Sequence, residues 1–396
     1  MNNTKKEKSP SARGSVWDLA VVIVFCAVIA VSGVLTFALP SREISENENR
    51  SLTTLSDLFS GSFSDKLFSG AFAKQTGDLC RDQFVFREKM LELRSLADAV
   101  LVRYETNGII YGAEGYLVPR KDHVDTVYAE GNTAAINALG SALEKQGAEV
   151  VFAVAPRPCD VLQKYYPSGY NDKSSSISKE TVLTLGGGLD LSVPIKAAAD
   201  KGEYVYYKTD HHWTGYGAYL AYAEVMKTFG ETPIPLENFE KETASTEFYG
   251  TSYSTAMYPF AEADVIEYYH YDDGGKYITE VVNTDIRLDG FYDRSYLDKK
   301  DKYSSYISGN NALVKVYKEG EKRPVMLLVK DSYAHSVVPF LALHYDLVII
   351  DPRYYKASAY ELALECGAEK MLVLCGIDTL TDANSFLVLN FGLPRE

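Results

Sequence analysis

The stretch KTDHHWTGYGAYLAY, residues 208–222, sets an acid and two histidines side by side, and it uses two of the six histidines in the chain. Far downstream, VKDSYAHS places Ser332 directly after an apolar run. A hydroxyl, an imidazole and a carboxylate together are what acyl transfer requires. The hydroxyl attacks, the imidazole takes its proton, and the carboxylate holds the imidazole in one tautomer. Each piece also has a commoner use. Asp210 suits the cap of a helix beginning at Thr214, and Asp331-Ser332 before a helix reads equally as an N-cap. Adjacent histidines point in different directions, so one of His211 and His212 faces a site. Asp and His are also metal ligands, but no further His, Asp or Glu cluster shows ligand spacing, so neither a metal nor another cofactor is expected.

The flanking pattern predicts how these residues are held. Helix 131–147 leads to the apolar strand AEVVFAVAP. The strand GEYVYYKTD leads to helix 214–230, PVMLLVKDS to helix 333–345, and DLVIID to helix 357–367; KMLVLCG closes the series. Such alternation predicts an α/β fold, a parallel sheet with helices on both faces. Ligands in open parallel sheets bind beyond the carboxyl ends of the strands. That rule selects Ala155-Pro156-Arg157, Thr209 to Trp213, Lys330 to Tyr333 and Asp351-Pro352-Arg353. Ser332, between strand and helix, has its own N–H and those of its neighbours available as oxyanion donors. Arg157 and Arg353 are candidates to hold an anionic or hydroxyl-rich substrate, the alternative being an arginine that packs its stem. His211, Trp213 and Tyr333 are further substrate-binding candidates, and Tyr249 to Tyr253 would wall the groove.

Between the second helix and the third strand lies an insertion, roughly residues 231–320, rich in Tyr, Asp, Lys and Gly and expected as an irregular or β-rich excursion near the sheet edge. The chain has 30 Tyr against 17 Phe, a surplus that suits polar recognition surfaces as well as strands. A net charge of −14 over 396 residues argues against a nucleic-acid partner. Leu19 to Leu39 is apolar for about 21 residues, enough for a hydrocarbon core of ~30 Å. Lys5, Lys6, Lys8 and Arg13 precede it, which predicts a cytoplasmic N-terminus and an extracellular body; a cleaved signal peptide is the alternative. The expected organisation is a cytoplasmic tail 1–15, a transmembrane helix 16–39, a linker and amphipathic helical subdomain 40–105, and the α/β domain 106–396. The cysteines show no metal spacing, and a Cys366–Cys375 or Cys80–Cys159 disulfide is compatible with their number.

YKTDHHWTGYGAYLAY and LLVKDSYAHSVVPFLALHYDLVIIDPRYY, with ENRSL and DQFVFRE upstream, resemble the DHHW protein family of Gram-positive bacteria. That family is similar to the SGNH-hydrolase-like domain of the alginate O-acetylation proteins. The resemblance covers nearly all of the chain beyond the apolar segment and implies a flavodoxin-like SGNH sheet. It places the catalytic Asp-x-His pair on Asp210 and His212 and the nucleophile on Ser332. The order Asp-His-Ser is the reverse of ordinary SGNH hydrolases and matches the alginate acetylation proteins. Two departures stand out: Lys330 replaces the glycine of the usual GDS block, and no Asn block for a third oxyanion donor is present. The resemblance implies O-acetylation of a cell-surface or extracellular polysaccharide, with acyl groups supplied by a multi-span membrane partner. An esterase on the same fold, or a non-catalytic glycan-binding scaffold, are the alternatives.

Overall fold

The computed structural model describes residues 16–45, 50–101, 103–121, 124–170, 183 and 188–394. The chain divides into two compact units, one up to Leu93 and one from Arg94 onward.

In the first unit, Val16–Ala38 forms one helix. Its segment Trp17–Thr36, with mean hydropathy 2.8, is long and apolar enough to cross a membrane. Within the span 40–105, expected as a linker and amphipathic helical subdomain, lie helices Leu55–Phe59, Phe63–Phe68, Ala71–Gln83 and Arg87–Val100, the last running past Leu93. The Asp-Gln pair of DQFVFRE has a structural use. Gln83 donates to the carbonyl oxygens of Arg42 and Thr53 at 2.8 and 2.9 Å, and Asp82 accepts from the Thr53 N–H at 3.0 Å. Two buried polar side chains thereby satisfy linker backbone groups that flank the antiparallel pair Ile44–Ser45 with Arg50–Ser51.

The second unit is built on an eight-stranded sheet. In chain order its strands are β1 (Glu149–Ala155), β2 (Leu189–Asp190), β3 (Tyr277–Val281), β4 (Arg287–Asp289), β5 (Leu313–Lys318), β6 (Val325–Lys330), β7 (Asp346–Ile350) and β8 (Ala368–Gly376). Across the sheet they lie in the order 4-3-5-7-6-8-1-2. Strands 7-6-8-1-2 are parallel, and 4-3-5 add an antiparallel edge at β7.

The central parallel strands carry apolar runs because both faces are covered. Val151, Ala153, Leu328, Ile349 and Leu372 pack on the side of helices Ser192–Asp200 and Gly215–Thr228. Phe152, Val154, Leu327, Val329 and Val373 pack on the side of helices Thr126–Glu144 and Ala359–Cys366. Successive residues alternate between two cores, the period of two that β geometry imposes. Each fully buried aliphatic side chain contributes roughly 1.5–3 kcal/mol.

Three expectations are corrected. GEYVYYKTD is not a strand of the sheet. It folds back on itself through a Tyr206–Trp213 bridge, with the Thr214 N–H on the Val205 carbonyl at 2.9 Å and the Tyr207 N–H on the His212 carbonyl at 3.2 Å. Its β-forming tyrosines are used for packing between layers instead. Helix 333–345 is a 3-10 turn, Ser332–Ser336, followed by the short helix Val338–Leu341; Pro339 has no N–H with which to continue the first turn. All five cysteines are free, so neither disulfide forms. The insertion is β-rich as expected. It supplies β3, β4 and β5 to the sheet edge and a separate hairpin, Glu240–Phe248 with Asp264–His270.

Candidate functional site

The backfolded turn 205–214 and the turn after β6 meet at the carboxyl end of the sheet. His212 Nε2 lies 2.8 Å from Ser332 Oγ, and His212 Nδ1 lies 2.5 Å from Asp210 Oδ1. Asp210 and His212 are buried, whereas Ser332 is half-buried, so the hydroxyl sits where the chain of bonds reaches solvent.

Asp210 is saturated. Its Oδ1 also accepts the His212 N–H at 2.9 Å, and its Oδ2 accepts the Thr251 N–H at 2.7 Å and the Thr251 hydroxyl at 3.0 Å. Burial opposes its ionisation, but the two imidazoles and these donors outweigh it and hold the carboxyl well below the usual range. With the Thr251 hydroxyl proton given to Asp210, the 2.6 Å contact of His211 Nδ1 with Thr251 Oγ1 requires His211 to be the donor. Burial, with His212 beside it, pushes His211 down to about 4, so this ring is neutral at pH 7. Asp210, His211 and His212 are the one Asp/His group among the described residues with ligand-type atoms within 4.8 Å of one another. A metal there would have to displace the Asp210 and Ser332 contacts from the two nitrogens of His212.

Asp331 fixes the serine turn from below. Its Oδ1 accepts the Tyr333 N–H at 2.9 Å, and its Oδ2 accepts the Gly376 N–H at 2.7 Å and the Thr379 hydroxyl at 2.6 Å. The Ala334 N–H goes to the Asp331 carbonyl at 3.3 Å. The expected set of oxyanion donors is therefore reduced: Asp331 takes the N–H groups of Tyr333 and Ala334, and of the three only the N–H of Ser332 is not bonded to it. Lys330, in place of glycine, is wholly buried. Its Nζ is 2.7 Å from His335 Nε2 and 3.4 Å from Asp351 Oδ2. Burial pushes Lys330 down to about 8 against the pull of Asp351, and burial with Lys330 alongside holds His335 well below its usual range.

The substrate-binding candidates divide. His211 remains partly exposed at the rim. Trp213 is fully buried, its Nε1 donating to the Tyr333 carbonyl at 3.0 Å and to Ser336 Oγ at 3.1 Å, so it cannot reach a substrate and instead ties the two turns together. Tyr333 is buried too, its hydroxyl on the His211 carbonyl at 2.8 Å. Arg157 is buried and bonded through two nitrogens to Asp160 at 3.1 Å each. Arg353 is bonded to both oxygens of Asp351, at 2.9 and 2.6 Å, and to Asn310 at 3.1 Å. Both guanidiniums are thus engaged by acids of their own loops.

The insertion contributes residues that the motifs did not reveal. Tyr303 stacks on the His212 imidazole, centroids 3.9 Å apart and planes 11° apart, and its hydroxyl lies 3.1 Å from both the Ser332 carbonyl and Ser336 Oγ. Asp264 accepts the N–H groups of Lys208 and Thr209, each at 2.7 Å, which fixes the backfolded turn that delivers Asp210. Gly250 packs so closely that a Cβ would lie 2.2 Å from Asp210 Oδ2. The surplus of tyrosine was the local signal for Tyr303, and Gly250 falls within the segment Tyr249 to Tyr253 expected to wall the groove.

Two expected results follow from this packing. Gly250→Ala forces Asp210 or its Thr251 partner away, and should slow covalent labelling of Ser332 by about 100-fold, the usual cost of displacing a reacting group by about 1 Å; a labelling time course checks it. Tyr303→Leu removes the stack and the hydroxyl together, with a loss of about 10- to 100-fold, while Tyr303→Phe, which keeps the ring, should retain most of the labelling rate.

Comparison with known proteins agrees with this fold. The DHHW protein family matches over residues 195–350, and the SGNH hydrolase-like domain of acetyltransferase AlgX over residues 109–265. A probable alginate O-acetylase AlgJ of Pseudomonas syringae pv. tomato is 26% identical over 45% of this chain and 48% of its own length. The chain thus spans about half the length of the curated relatives it matches. A DHHW family protein from Eubacterium siraeum has the same fold, with TM-score 0.58 and 21% identity, over 74% of this chain and 98% of its own. So does Bacillus cereus PatB1 with a sulfonyl adduct, with TM-score 0.58 and 20% identity, over 71% of this chain and 98% of its own. By its motifs, these matches and its fold, the chain is similar over residues 195–350 to the DHHW protein family and over residues 109–265 to the SGNH hydrolase-like domain of the alginate O-acetylation proteins.

Proposed function

We propose that the protein is a serine acyltransferase that O-acetylates a cell-surface or extracellular polysaccharide, its catalytic domain held outside the membrane by the helix Val16–Ala38, with the N-terminus cytoplasmic. The observation that carries the reading is the chain of bonds Ser332–His212–Asp210 at a half-exposed hydroxyl. The name of the Pseudomonas syringae relative supports the choice of acceptor class.

With Nδ1–H donated to Asp210, His212 presents a lone pair on Nε2 to the Ser332 hydroxyl. As Ser332 Oγ bonds to the acyl carbon of an activated acetyl donor, its proton passes to Nε2. Collapse of the tetrahedral adduct breaks the bond from acyl carbon to leaving group, and the leaving group takes that proton. An acceptor hydroxyl then gives its proton to Nε2 as its oxygen attacks the acetyl-serine, and the proton returns to Ser332 Oγ on release. Asp210 stays ionised throughout and stabilises the imidazolium. The Ser332 N–H supports the oxyanion. Acetyl groups reach the domain from a multi-span membrane partner, which one helix cannot replace.

The test is covalent modification by an aryl sulfonyl fluoride, followed by transfer of acetyl from an activated ester to glycan hydroxyls. The sulfonyl adduct in the Bacillus cereus PatB1 structure makes this reagent class the appropriate probe. Modification at Ser332 together with acceptor-dependent acetylation supports the proposal. Acetate release with no acetylated glycan makes the protein an esterase of the same fold. No modification of Ser332 leaves a scaffold that binds without chemistry.

A further inference from the structure

Beside the catalytic turn, on the other side of residues 207–213, two cavities of about 500 and 350 Å³ adjoin. They share Glu114, Tyr116, Lys208 and Glu262 as walls. Such volumes fall within the usual range for small-molecule sites. The larger is bounded by Tyr111, Tyr258 and Phe260. Tyr111 and Tyr258 have centroids 4.4 Å apart, and Phe260 stands edge-on to Tyr258 at 5.6 Å. Phe260 is 62% exposed, a large ring presented to water at a cavity wall rather than packed. Among the described residues Glu114, Lys208 and Glu262 form no ion pair or side-chain hydrogen bond; the Lys208 ammonium stands 5.8 Å from the Tyr116 ring centre. Glu114 is held at φ 56°, in the left-handed region, immediately before Gly115 at φ 84°.

The groove is tied to the catalytic turn. Lys208, its cation, is two residues from Asp210, and the Lys208 carbonyl accepts the N–H of Leu117, itself a wall of the larger cavity, at 2.7 Å. On the other flank, the Tyr253 N–H bonds the Thr209 carbonyl at 2.9 Å, placing the helical turn Thr251–Ala256 between His211 and Tyr258. Aromatic faces that pack sugar C–H groups, with unpaired carboxylates and an ammonium to bond hydroxyls, are the components of a carbohydrate subsite. The charge balance selects among carbohydrates. Three carboxylates line the two cavities, Glu114 and Glu262 in both and the hydrogen-bonded Asp264 in the smaller, against the one ammonium of Lys208 in a chain of net charge −14, so a polyuronate is repelled, whereas an uncharged pyranose chain binds without that cost.

We infer that this groove is the acceptor subsite and that the acceptor is an uncharged glycan strand rather than a polyanionic one. The inference rests on the acyltransferase reading of Ser332, and its test separates the two. Full-length protein in detergent is titrated with a neutral β-linked N-acetylglucosamine oligomer and with an oligogalacturonate of equal length, and sulfonyl labelling of Ser332 is measured in parallel. The neutral oligomer is expected to bind at least about tenfold more tightly. Phe260→Ala should weaken it by about tenfold, since truncating an exposed aromatic anchor removes about 1.4 kcal/mol, with Ser332 labelling unchanged. Glu114→Lys with Glu262→Lys should reverse the preference. Equal or tighter binding of the uronate by the unaltered protein, or neutral binding indifferent to Phe260→Ala, overturns the groove assignment even when Ser332 is labelled. Glycan binding that behaves as described without Ser332 labelling overturns the acyltransferase reading and leaves the groove standing.

Discussion

Ser332→Ala is expected to abolish sulfonyl labelling and to lower acetyl transfer by at least about 10⁴-fold, the scale seen when a triad nucleophile is removed. The protein should remain folded. Ser332 is half-buried, and its hydroxyl makes one described bond, to His212 Nε2. An alanine there leaves an imidazole nitrogen that water can reach, so the change in unfolding free energy should stay within about 1 kcal/mol. The turn itself does not depend on the hydroxyl, because Asp331 holds it through Gly376 and Thr379. Peptide mapping of the adduct and a melting curve check both halves. Retained transfer in the alanine variant, or an adduct on another residue, removes Ser332 from the role.

Asp210→Asn should cost nearly as much, about 10⁴-fold, but for a different reason. The carboxylate accepts four donors: the His212 ring and backbone, and the Thr251 backbone and hydroxyl. An amide has one oxygen for these four and sets an NH₂ against at least one of them. The imidazole is then free to take the tautomer with its proton on Nε2, facing Ser332, where it cannot accept another. The structure should also weaken, by about 1–3 kcal/mol for the buried donors left unsatisfied. The pH dependence has a definite sign. Because the folded carboxyl is held below the unfolded value of about 3.9, its contribution is present above that pH and is lost as pH falls. Melting temperatures measured between pH 7 and pH 3 should show this acid-side loss in the unaltered protein and a shallower one in the asparagine variant.

The central parallel strands were readable because each is buried on both faces over most of its length and so carries an apolar run, as over residues 150–155 and 371–375; the two-residue edge strand Leu189–Asp190 carries no such run. Placing loops at their carboxyl ends selects Ser332 after β6, whereas it selects Asp210 and His212 only on the expectation that GEYVYYKTD is a strand, which it is not; the backfolded turn nevertheless brings them to Ser332. The same rule also selected Arg157 and Arg353, because it finds loops but not the directions of side chains; Asp160 and Asp351 engage those guanidiniums. GEYVYYKTD looked like a further strand because tyrosine and valine favour extended backbone wherever it occurs. Its actual partners, Asp264 and its own return to Trp213, lie at separations that a local pattern does not report. Tyr303 was hidden for the same reason, and the sequence marks Tyr249 to Tyr253 without showing the contact of this segment with Asp210. A tyrosine among 30, or a glycine among 28, gains meaning only when a distant segment is laid against it.

The indole of Trp213 is bonded to the carbonyl of Tyr333 and the hydroxyl of Ser336, and His212 to Ser332, across 120 positions of sequence. A nascent chain cannot make these contacts until the ribosome has passed residue 336, and closing a loop of that span is slow compared with forming a local helix. The contact of Ser332 with His212 is therefore among the last features to mature, and an incomplete or clipped polypeptide carries the hydroxyl without the imidazole beside it.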